Sequence, residues 1–226
     1  MIVRVPGLLS QEQLAAARAL LADAPWGDGR ATAGYQSAKV KTNLQLPEDC
    51  EESVKLRDIV LTALERNPLF IAAALPARVF PPLFNRYEPG MNFGAHVDNA
   101  VRQIANTPRR IRTDISASLY LNPPEDYDGG ELIIEDTYGS HNVKLPAGDM
   151  ILYPATSLHR VTPITRGARI ASFFWVQSMV KDDGERTILF DLDRSIAELS
   201  RERPESSALV RLTACYHNLI RRWAEI

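Results

Sequence analysis

The chain has 226 residues, which is enough for one substantial hydrophobic core and a small appended unit. Charged residues make up 24% of it, but the formal net charge is only −2, so no global basic field attracts nucleic acid or anionic lipid. The apolar runs are too short to span a bilayer, and the N-terminus lacks the apolar segment of a signal peptide. We therefore predict a cytoplasmic protein with no nucleic-acid or membrane partner, in which Cys50 and Cys215 are free thiols.

The first part of the chain, residues 1–76, is predicted to be largely helical. Ser10 and Gln13 have the spacing of a capping box, and apolar residues follow them at helical intervals. A second helix is expected from about Glu51, and it should end before Pro68, because the proline ring disfavours helical geometry at the preceding residue. We expect these helices to flank the part of the chain that follows.

Residues 77–178 differ in kind, because short apolar or alternating runs are separated there by clusters of Pro, Gly, Asn and Asp. The runs include PPLFNRYEPG, SASLYLNPPEDYDGGELIIED, KLPAGDMILYP and RGARIASFFWVQS. This rhythm is typical of a β-sandwich or barrel. Residues 179–226 return to helical periodicity and predict a small C-terminal unit, whose second helix opens near Pro204. The predicted fold class is therefore α+β.

A His-x-Asp pair, His96 and Asp98, stands in the run NFGAHVDNA. On a β-strand, residues i and i+2 project from the same face, so this strand presents an imidazole and a carboxylate together, with Val97 turned away. A third ligand from a neighbouring strand would leave coordination positions open, which suits non-haem Fe(II). So short a motif also arises by chance or in an exposed turn, and it needs support from elsewhere in the chain.

Three other histidines are candidates for the third ligand. His159 lies in SLHRVTPI, between two apolar runs of the predicted β region. His141 is expected at the tip of a hairpin, and His217 belongs to the C-terminal helix. We therefore predict His159 as the ligand, although a histidine after a strand is more often packed in the core.

Arg169 follows His159 by ten residues and opens the run RIASFFW, which we expect to lie beside the strand of His159. On such a strand Arg169 shares a face with Phe173 and Trp175, and these aromatic residues indicate that the face is buried in the core. A buried guanidinium needs an anionic partner, and its planar fork suits a carboxylate. The alternative is a strand-end arginine paired with a surface acid, and Arg166 is expected to be of that kind.

Taken together, H-V-D at 96–98, His159 and Arg169 resemble the iron- and cosubstrate-binding pattern of the Fe(II)/2-oxoglutarate-dependent dioxygenases, especially their prolyl-4-hydroxylase-like branch. The whole chain, including QSMVKDDGERTILFDLDRSI, resembles the bacterial PKHD-type hydroxylases. The resemblance implies a double-stranded β-helix, or jelly roll, flanked by helices. It also implies a hydroxylation that consumes O₂ and 2-oxoglutarate, releases succinate and CO₂, and uses L-ascorbate as the reductant that keeps iron ferrous.

Carried over by position, the resemblance makes His96, Asp98 and His159 the Fe(II) ligands. Arg169 would hold the distal carboxylate of 2-oxoglutarate, and Tyr120 in SLYLN matches a tyrosine that helps to bind this cosubstrate. The metal carries the hard chemistry in such a site, so no catalytic side chain is expected beyond the ligands.

Four further residues complete the prediction of the site. Tyr87 in NRYEPG matches a second cosubstrate tyrosine, whose spacing to the first histidine differs by one residue between branches. Phe93 stands where many relatives carry a tyrosine, so a hydroxyl contact from that position is lost. Asp149 and Glu131 are interpreted as strand-edge residues rather than general bases.

Two segments outside the motif also invite hypotheses. Residues 99–114 follow the ligand strand, and we interpret them as a flap over the mouth of the site, with an ordinary solvated loop as the alternative. The flap carries Arg102, Arg109, Arg110 and Arg112. The C-terminal helices present an apolar stripe that either packs on its own domain or joins two copies of the chain, and we predict a homodimer.

Two other function classes compete with the dioxygenase. A zinc hydrolase could use two histidines and a carboxylate, but it leaves Arg169 unexplained. A non-catalytic jelly-roll sensor could have kept the metal site, although every residue that catalysis needs is retained. The primary substrate stays open between a peptide or protein side chain and a small iron-chelating metabolite. A role in iron homeostasis is an expectation from the family alone.

Overall fold

The computed structural model describes residues 1–32 and 37–225. The α-helices are α1 (Gln11–Ala22), α2 (Glu51–Glu65), α3 (Pro68–Ala74), α4 (Asp183–Glu202) and α5 (Ser207–Trp223). The strands of the first half are β1 (Val3–Val5), β2 (Gly27–Asp28), β3 (Lys41–Thr42), β4 (Leu44–Gln45), β5 (Pro76–Val79), β6 (Leu83–Tyr87), β7 (Asn92–His96), β8 (Val101–Gln103) and β9 (Arg110–Arg112). Those of the second half are β10 (Ile115–Tyr120), β11 (Tyr127–Gly129), β12 (Leu132–Asp136), β13 (Gly139–Val143), β14 (Met150–Pro154), β15 (Leu158–Val161), β16 (Ile164–Gly167) and β17 (Arg169–Ser178).

Two antiparallel sheets enclose the core. The larger sheet has the strand order β1-β14-β10-β17-β6-β4-β2, with β5 paired to the far end of β17. The smaller sheet has the order β13-β12-β15-β7-β3, and β8 with β9 and β11 with β16 form separate pairs. Between the sheets lies an apolar cluster that draws on both of them, including Tyr120 and Ile151 from one and Ile134 and Val161 from the other. This arrangement confirms the predicted jelly-roll core.

The N-terminal segment contributes strands as well as helices, so the prediction of a largely helical stretch was incomplete. β1 pairs with β14, and β4 pairs with β6, both in the larger sheet. Asp149 fixes the β1 edge, because its carboxylate accepts hydrogen bonds from Arg4 Nη2 at 2.6 Å and from the backbone N–H of Gly7 at 2.8 Å. Asp149 is only 6% exposed, and each of its two carboxylate oxygens has a structural partner.

Helices α1 to α3 cover the outer face of the larger sheet. The predicted capping box is confirmed, with Ser10 and Gln13 bonded reciprocally at the start of α1. Helix α3 was not predicted, because Pro68 was interpreted only as the end of the preceding helix. Asn67 has the extended geometry expected before a proline, and its side chain accepts a hydrogen bond from the Phe70 N–H at 2.9 Å. Pro68 then occupies the first turn, where a missing N–H costs nothing.

The C-terminal unit consists of α4 and α5, which pack against each other, and α4 also packs against α3. Leu189 is fully buried against Leu75 and Val180, where β17 gives way to α4. Arg186, at 2% exposure, donates to the carbonyl oxygens of Val180 at 2.8 Å and Lys181 at 2.7 Å, and so secures this junction. Within the described residues, none of the helices combines the length and apolarity required to cross a membrane.

Candidate active site

His96, Asp98 and His159 lie together at one end of the space between the sheets. Their potential ligand atoms all fall within 4.8 Å of one another. His96 and His159 are directly opposed in the ladder between β7 and β15, and their ring centres are 4.2 Å apart. His159 Nε2 is 3.8 Å from Asp98 Oδ2. The antiparallel register therefore brings the predicted third histidine to the predicted pair.

The route by which Asp98 reaches the cluster differs from the prediction. Strand β7 ends at His96, so Asp98 stands in the segment beyond it, while Val97 is 46% exposed and points away. Asp98 crosses toward the larger sheet, where its Oδ2 accepts a hydrogen bond from Ser116 Oγ at 2.6 Å. This hydrogen bond holds the Asp98 carboxylate in place, although the backbone of Asp98 is not part of a β-strand.

Backbone carbonyls orient both imidazoles. His96 Nδ1 is 2.8 Å from the Gly94 oxygen, and His159 Nδ1 is 3.0 Å from the Ser157 oxygen. A ring nitrogen that faces a carbonyl carries the proton, which leaves each Nε2 with a lone pair for a metal. Burial, with His159 close by, lowers the pKa of His96 to about 4, so this imidazole is neutral at pH 7. Both histidines are thus prepared to be ligands.

Arg169 faces this cluster from the opposite sheet, which corrects the prediction that its strand runs beside that of His159. β17 lies between β10 and β6 in the larger sheet, whereas β15 lies between β12 and β7 in the smaller one. The intervening β16 pairs with β11, and the chain turns at Gly167, whose φ is +70°. A Cβ there would meet the Asp126 carbonyl oxygen at 1.9 Å, so the turn requires glycine.

Phenol rings surround Arg169, which is only 2% exposed. Its Cζ lies 5.0 Å from the ring centre of Tyr120 and 5.6 Å from that of Tyr87, the two predicted tyrosines. Tyr120 Oη donates to the Val143 carbonyl oxygen at 2.9 Å. Burial raises the pKa of Tyr87 to about 12, although Arg169 opposes the shift, so this phenol stays neutral at pH 7.

Tyr127 is a third member of this enclosure, and the sequence analysis did not single it out. Burial raises its pKa to about 12, with Arg169 close enough to lower it in part. Its buried Oη has no hydrogen-bond partner among the described residues, and the same is true of Arg169 Nε. The sequence signal for Tyr127 is the run DYDGG. A Cβ at Gly130 of this run would lie 3.1 Å from Tyr127 Cε2 and 3.2 Å from Arg169 Cδ, so the glycine leaves room for both side chains.

A pocket between the two sheets connects the His-Asp-His cluster with Arg169. Its wall includes two cationic side chains, Lys41 and Arg102, and the aromatic rings of Phe93, Phe173 and Trp175. Phe93 stacks on His96 with ring centres 3.6 Å apart and an interplanar angle of 16°. The ring therefore supports a candidate ligand by packing.

The proposed flap, residues 99–114, contains the β8–β9 hairpin rather than an irregular loop. Of its arginines, Arg102 turns into the pocket and Arg112 pairs with Asp114 Oδ1 at 2.6 Å. Arg109 and Arg110 are exposed. The hairpin is thus tied to the body of the protein through Arg112, one of the four arginines of the predicted flap.

The remaining predicted positions lie away from the pocket. Arg166 pairs with Asp128 at 2.7 Å on the surface, as predicted. His141 lies within β13 rather than at the tip of the hairpin, 2.6 Å from Asp136, and His217 is exposed on α5. Glu131 accepts a hydrogen bond from Thr162. Cys50 caps the start of α2 and Cys215 is exposed on α5, and both are free thiols.

Two family models match the chain. The model of the 2OG-Fe(II) oxygenase superfamily matches residues 82–177, and that of the PKHD-type hydroxylase C-terminal domain matches residues 183–225. The first of these ranges contains every member of the His-Asp-His cluster together with Arg169. The second covers the unit built from α4 and α5.

Similar proteins extend the comparison to the full length. The chain is 58% identical over 225 residues to a PKHD-type hydroxylase of Saccharophagus degradans and 59% identical over 227 residues to one of Methylobacterium nodulans, and each alignment covers 100% of both chains. Among solved structures, a Pseudomonas putida prolyl-4-hydroxylase matches with a TM-score of 0.53 and 20% identity, over 78% of this chain and 92% of that one, which shows a shared fold. The chain belongs to the PKHD-type hydroxylases of the 2OG-Fe(II) oxygenase superfamily and is a 2-oxoglutarate-dependent dioxygenase.

Proposed function

We propose that His96, Asp98 and His159 bind Fe(II), that Arg169 binds the distal carboxylate of 2-oxoglutarate, and that the enzyme hydroxylates a substrate still to be identified. Iron held by these three residues would supply the oxidative chemistry, in which O₂ and 2-oxoglutarate are consumed, a C–H bond of the substrate becomes C–OH, and succinate and CO₂ are released. The chain's own part is to orient the ligands, to hold the dicarboxylate and to limit the access of water.

The observation that carries the proposal is the environment of Arg169. A fully buried guanidinium is costly unless an anion accompanies it. Among the described residues, three phenols act on Arg169, those of Tyr87, Tyr120 and Tyr127. All three remain protonated at neutral pH because burial raises their pKa values. Arg169 Nε has no hydrogen-bond partner in the described part of the chain. A carboxylate of the cosubstrate would supply the missing charge and accept that hydrogen bond, and Tyr87 lines the same pocket.

The test is anaerobic titration of the enzyme with Fe(II) and 2-oxoglutarate, monitored through the visible charge-transfer band of the iron–keto-acid chelate. His96→Ala should abolish the band. Arg169→Met should weaken 2-oxoglutarate binding about 100-fold, because a charge-assisted bidentate contact is lost. Arg166→Met is the matched control, since this arginine lies three residues earlier but is paired with Asp128 on the surface.

Three outcomes would count against the proposal. Equal 2-oxoglutarate affinity in Arg169→Met and Arg166→Met would remove the assigned role of Arg169. A protein that retains zinc and yields no band with iron would favour the zinc hydrolase. If the band forms but no candidate substrate raises succinate release, a metal-binding sensor becomes the better description.

Three finer assignments rest on the family resemblance. We propose L-ascorbate as the reductant, a peptide or protein side chain or a small iron-chelating metabolite as the substrate, and a role in iron homeostasis. Succinate release with and without ascorbate tests the first, and the same assay across both substrate classes tests the second. Growth of a deletion strain under iron limitation, compared with iron-replete growth, tests the third.

We further propose a cytoplasmic homodimer. The two free thiols favour a reducing compartment. The C-terminal helices expose apolar side chains, with Ile188 at 53% and Val210 at 74% exposure. Val210→Glu should convert a dimer to a monomer by light scattering, whereas Val54→Glu on α2, where the valine is 48% exposed, should leave it intact. A monomeric wild type would contradict the dimer, and cell fractionation tests the location.

A further inference from the structure

The segment that follows α5 returns to the end of β17. Ala224 forms an antiparallel bridge with Val180, and the Glu225 N–H donates to the Met179 carbonyl oxygen at 2.8 Å. Helices α4 and α5 therefore form an excursion that leaves the larger sheet at β17 and comes back to the same place. The return brings the side chain of Glu225 to the β8–β9 hairpin, and the proposed function gives this contact no role.

Arg112, at the end of β9, is the residue that Glu225 meets. Arg112 Nη1 donates to Glu225 Oε2 at 2.8 Å, and Arg112 Nε donates to Asp114 Oδ1 at 2.6 Å. The Arg112 backbone N–H donates to Gln177 Oε1 at 3.1 Å. Asp114 Oδ2 in turn accepts a hydrogen bond from the Ser178 N–H at 2.9 Å. Arg112 thus joins the hairpin both to β17 and to the segment after α5.

The next residue, Thr113, links the hairpin to a proposed metal ligand. Its hydroxyl donates to the Asn99 carbonyl oxygen at 2.6 Å, and its N–H donates to the Ala100 carbonyl oxygen at 3.0 Å. Thr113 is only 6% exposed, so a lost hydroxyl leaves the Asn99 oxygen with little water to replace it. Asn99 follows Asp98 directly in the chain and lies between β7 and β8, outside both strands. The two bonds from Thr113 therefore fix the backbone beside Asp98.

Asp98 is consequently held at two points. Ser116 Oγ donates to its carboxylate at 2.6 Å, and Thr113 holds the backbone that follows it. The two histidines, by contrast, belong to the ladder between β7 and β15. A shift of residues 110–114 moves Asp98 relative to both of them, and a metal site works only when its ligands are held within about 0.5 Å of the binding geometry.

We propose that the C-terminal unit is a brace for the metal site. Glu225 and Arg112 position the hairpin, Thr113 positions Asp98, and the Fe(II) affinity depends on this path. The inference rests on the proposed function, because it concerns the proposed iron ligands, and it gives the C-terminal unit a part in that function. The residues of the path do not meet the reacting atoms, so they are positioning residues.

The exposure of each contact sets the expected effect. The side chains of Arg112 and Glu225 are 27% and 59% exposed, so water screens their pair and Glu225→Gln should weaken Fe(II) binding about threefold. Thr113→Val removes a buried hydroxyl behind a ligand and should weaken it about tenfold, whereas Thr113→Ser should retain wild-type affinity. Anaerobic competition with a colorimetric chelator measures each value.

Thr107→Val and Glu198→Gln are the matched controls. Thr107 Oγ1 donates to the Ile104 carbonyl oxygen at 3.0 Å in the turn of the hairpin, so its loss removes the same kind of bond away from Asp98. Glu198 is exposed on α4, and its substitution removes the same charge from the C-terminal unit. Both controls should keep Fe(II) affinity within about 1.5-fold of wild type.

Two measurements distinguish a path from a general loss of stability. Effects along one path are not additive, so in Thr113→Val protein the further change Glu225→Gln should cause no additional loss of Fe(II) affinity. Coupling is also reciprocal, so Fe(II) should slow amide hydrogen exchange at Arg112 and Glu225 in the wild type and lose this effect in Thr113→Val.

Three results would overturn the brace: wild-type Fe(II) affinity in Glu225→Gln, losses that multiply in the double variant, or an equal loss in Thr107→Val. If the wild type forms the charge-transfer band and one of these results is obtained, only the brace is rejected. A wild type that binds no Fe(II) rejects the iron site and the brace with it. If Thr113→Val fails to fold, Glu225→Gln and the exchange measurement on the wild type still decide.

Discussion

Replacing Ser116 by Ala should weaken Fe(II) binding without touching a metal ligand. Ser116 Oγ donates to Asp98 Oδ2 at 2.6 Å, and the serine is only 2% exposed. Asp98 stands beyond the end of β7, so this bond, rather than a ladder, fixes its carboxylate. Without the hydroxyl the carboxylate must be reordered each time that a metal binds.

The magnitude follows from the geometry. A hydrogen bond to a charged group contributes about 1.5–3 kcal/mol, and loss of a partner behind a metal ligand costs roughly 10–100-fold in affinity. Because Ser116 is buried and water cannot readily replace its hydroxyl, we expect a loss of about 30-fold, or about 2 kcal/mol. Anaerobic competition between the enzyme and a colorimetric chelator for Fe(II) measures it.

Ser118→Ala is the matched control for this experiment. Ser118 lies two residues along the same strand and is also buried, while the hydrogen bond to Asp98 comes from Ser116. Its substitution should leave Fe(II) affinity within about twofold of wild type. If both variants lose metal equally, or if neither does, the hydroxyl of Ser116 does not position Asp98 and the reasoning is refuted.

Three further predictions concern other parts of the molecule. Tyr127→Phe should weaken 2-oxoglutarate about tenfold in the band titration while the free energy of unfolding stays unchanged, and unaltered affinity would show that its hydroxyl does not meet the cosubstrate. Asp149→Ala should cost about 2 kcal/mol in urea unfolding, because the buried edge formed with β1 loses its acceptor, and a loss below about 0.5 kcal/mol would contradict this. Arg112→Ala should accelerate amide hydrogen exchange across the β8–β9 hairpin, since Arg112 ties it to Asp114 and to Glu225 at 2.8 Å, whereas Arg110→Ala should not.

The chemistry of the site was readable from the sequence because it follows local rules. Alternation along a strand predicted that His96 and Asp98 approach each other, and they do, although Asp98 lies beyond the end of β7 and is held by Ser116. An arginine within a run of core residues predicted a buried guanidinium, which Arg169 is. The predicted neighbour of β17 was wrong, because strand pairing is set by long-range contacts that periodicity does not encode. The chain turns at Gly167, between β16 and β17, and β17 then pairs with β10 and β6 in the larger sheet.

Short strands explain most of the other omissions. β1 has three residues, and β3 and β4 have two each, so none is long enough to display an alternating pattern. Lys41 lies on β3, and its place in the pocket follows from pairing with Phe93 rather than from any motif. Tyr127 lies on β11, which has only three residues and therefore also shows no alternating pattern. The residues that shape the pocket beyond the ligands were therefore the hardest to predict.

The two sheets contribute different residues to the site, and Asp98 lies between them. His96 and His159 belong to the ladder of the smaller sheet, whereas Arg169 belongs to β17 of the larger one. Asp98 is bonded to Ser116, and Ser116 pairs directly with Trp175 on β17. A change in the spacing between the sheets would thus move both histidines relative to Asp98, whereas Asp98, held by Ser116 of β10, and Arg169 of β17 would both stay with the larger sheet. Metal affinity should consequently respond to such a change more strongly than 2-oxoglutarate binding at the distal carboxylate.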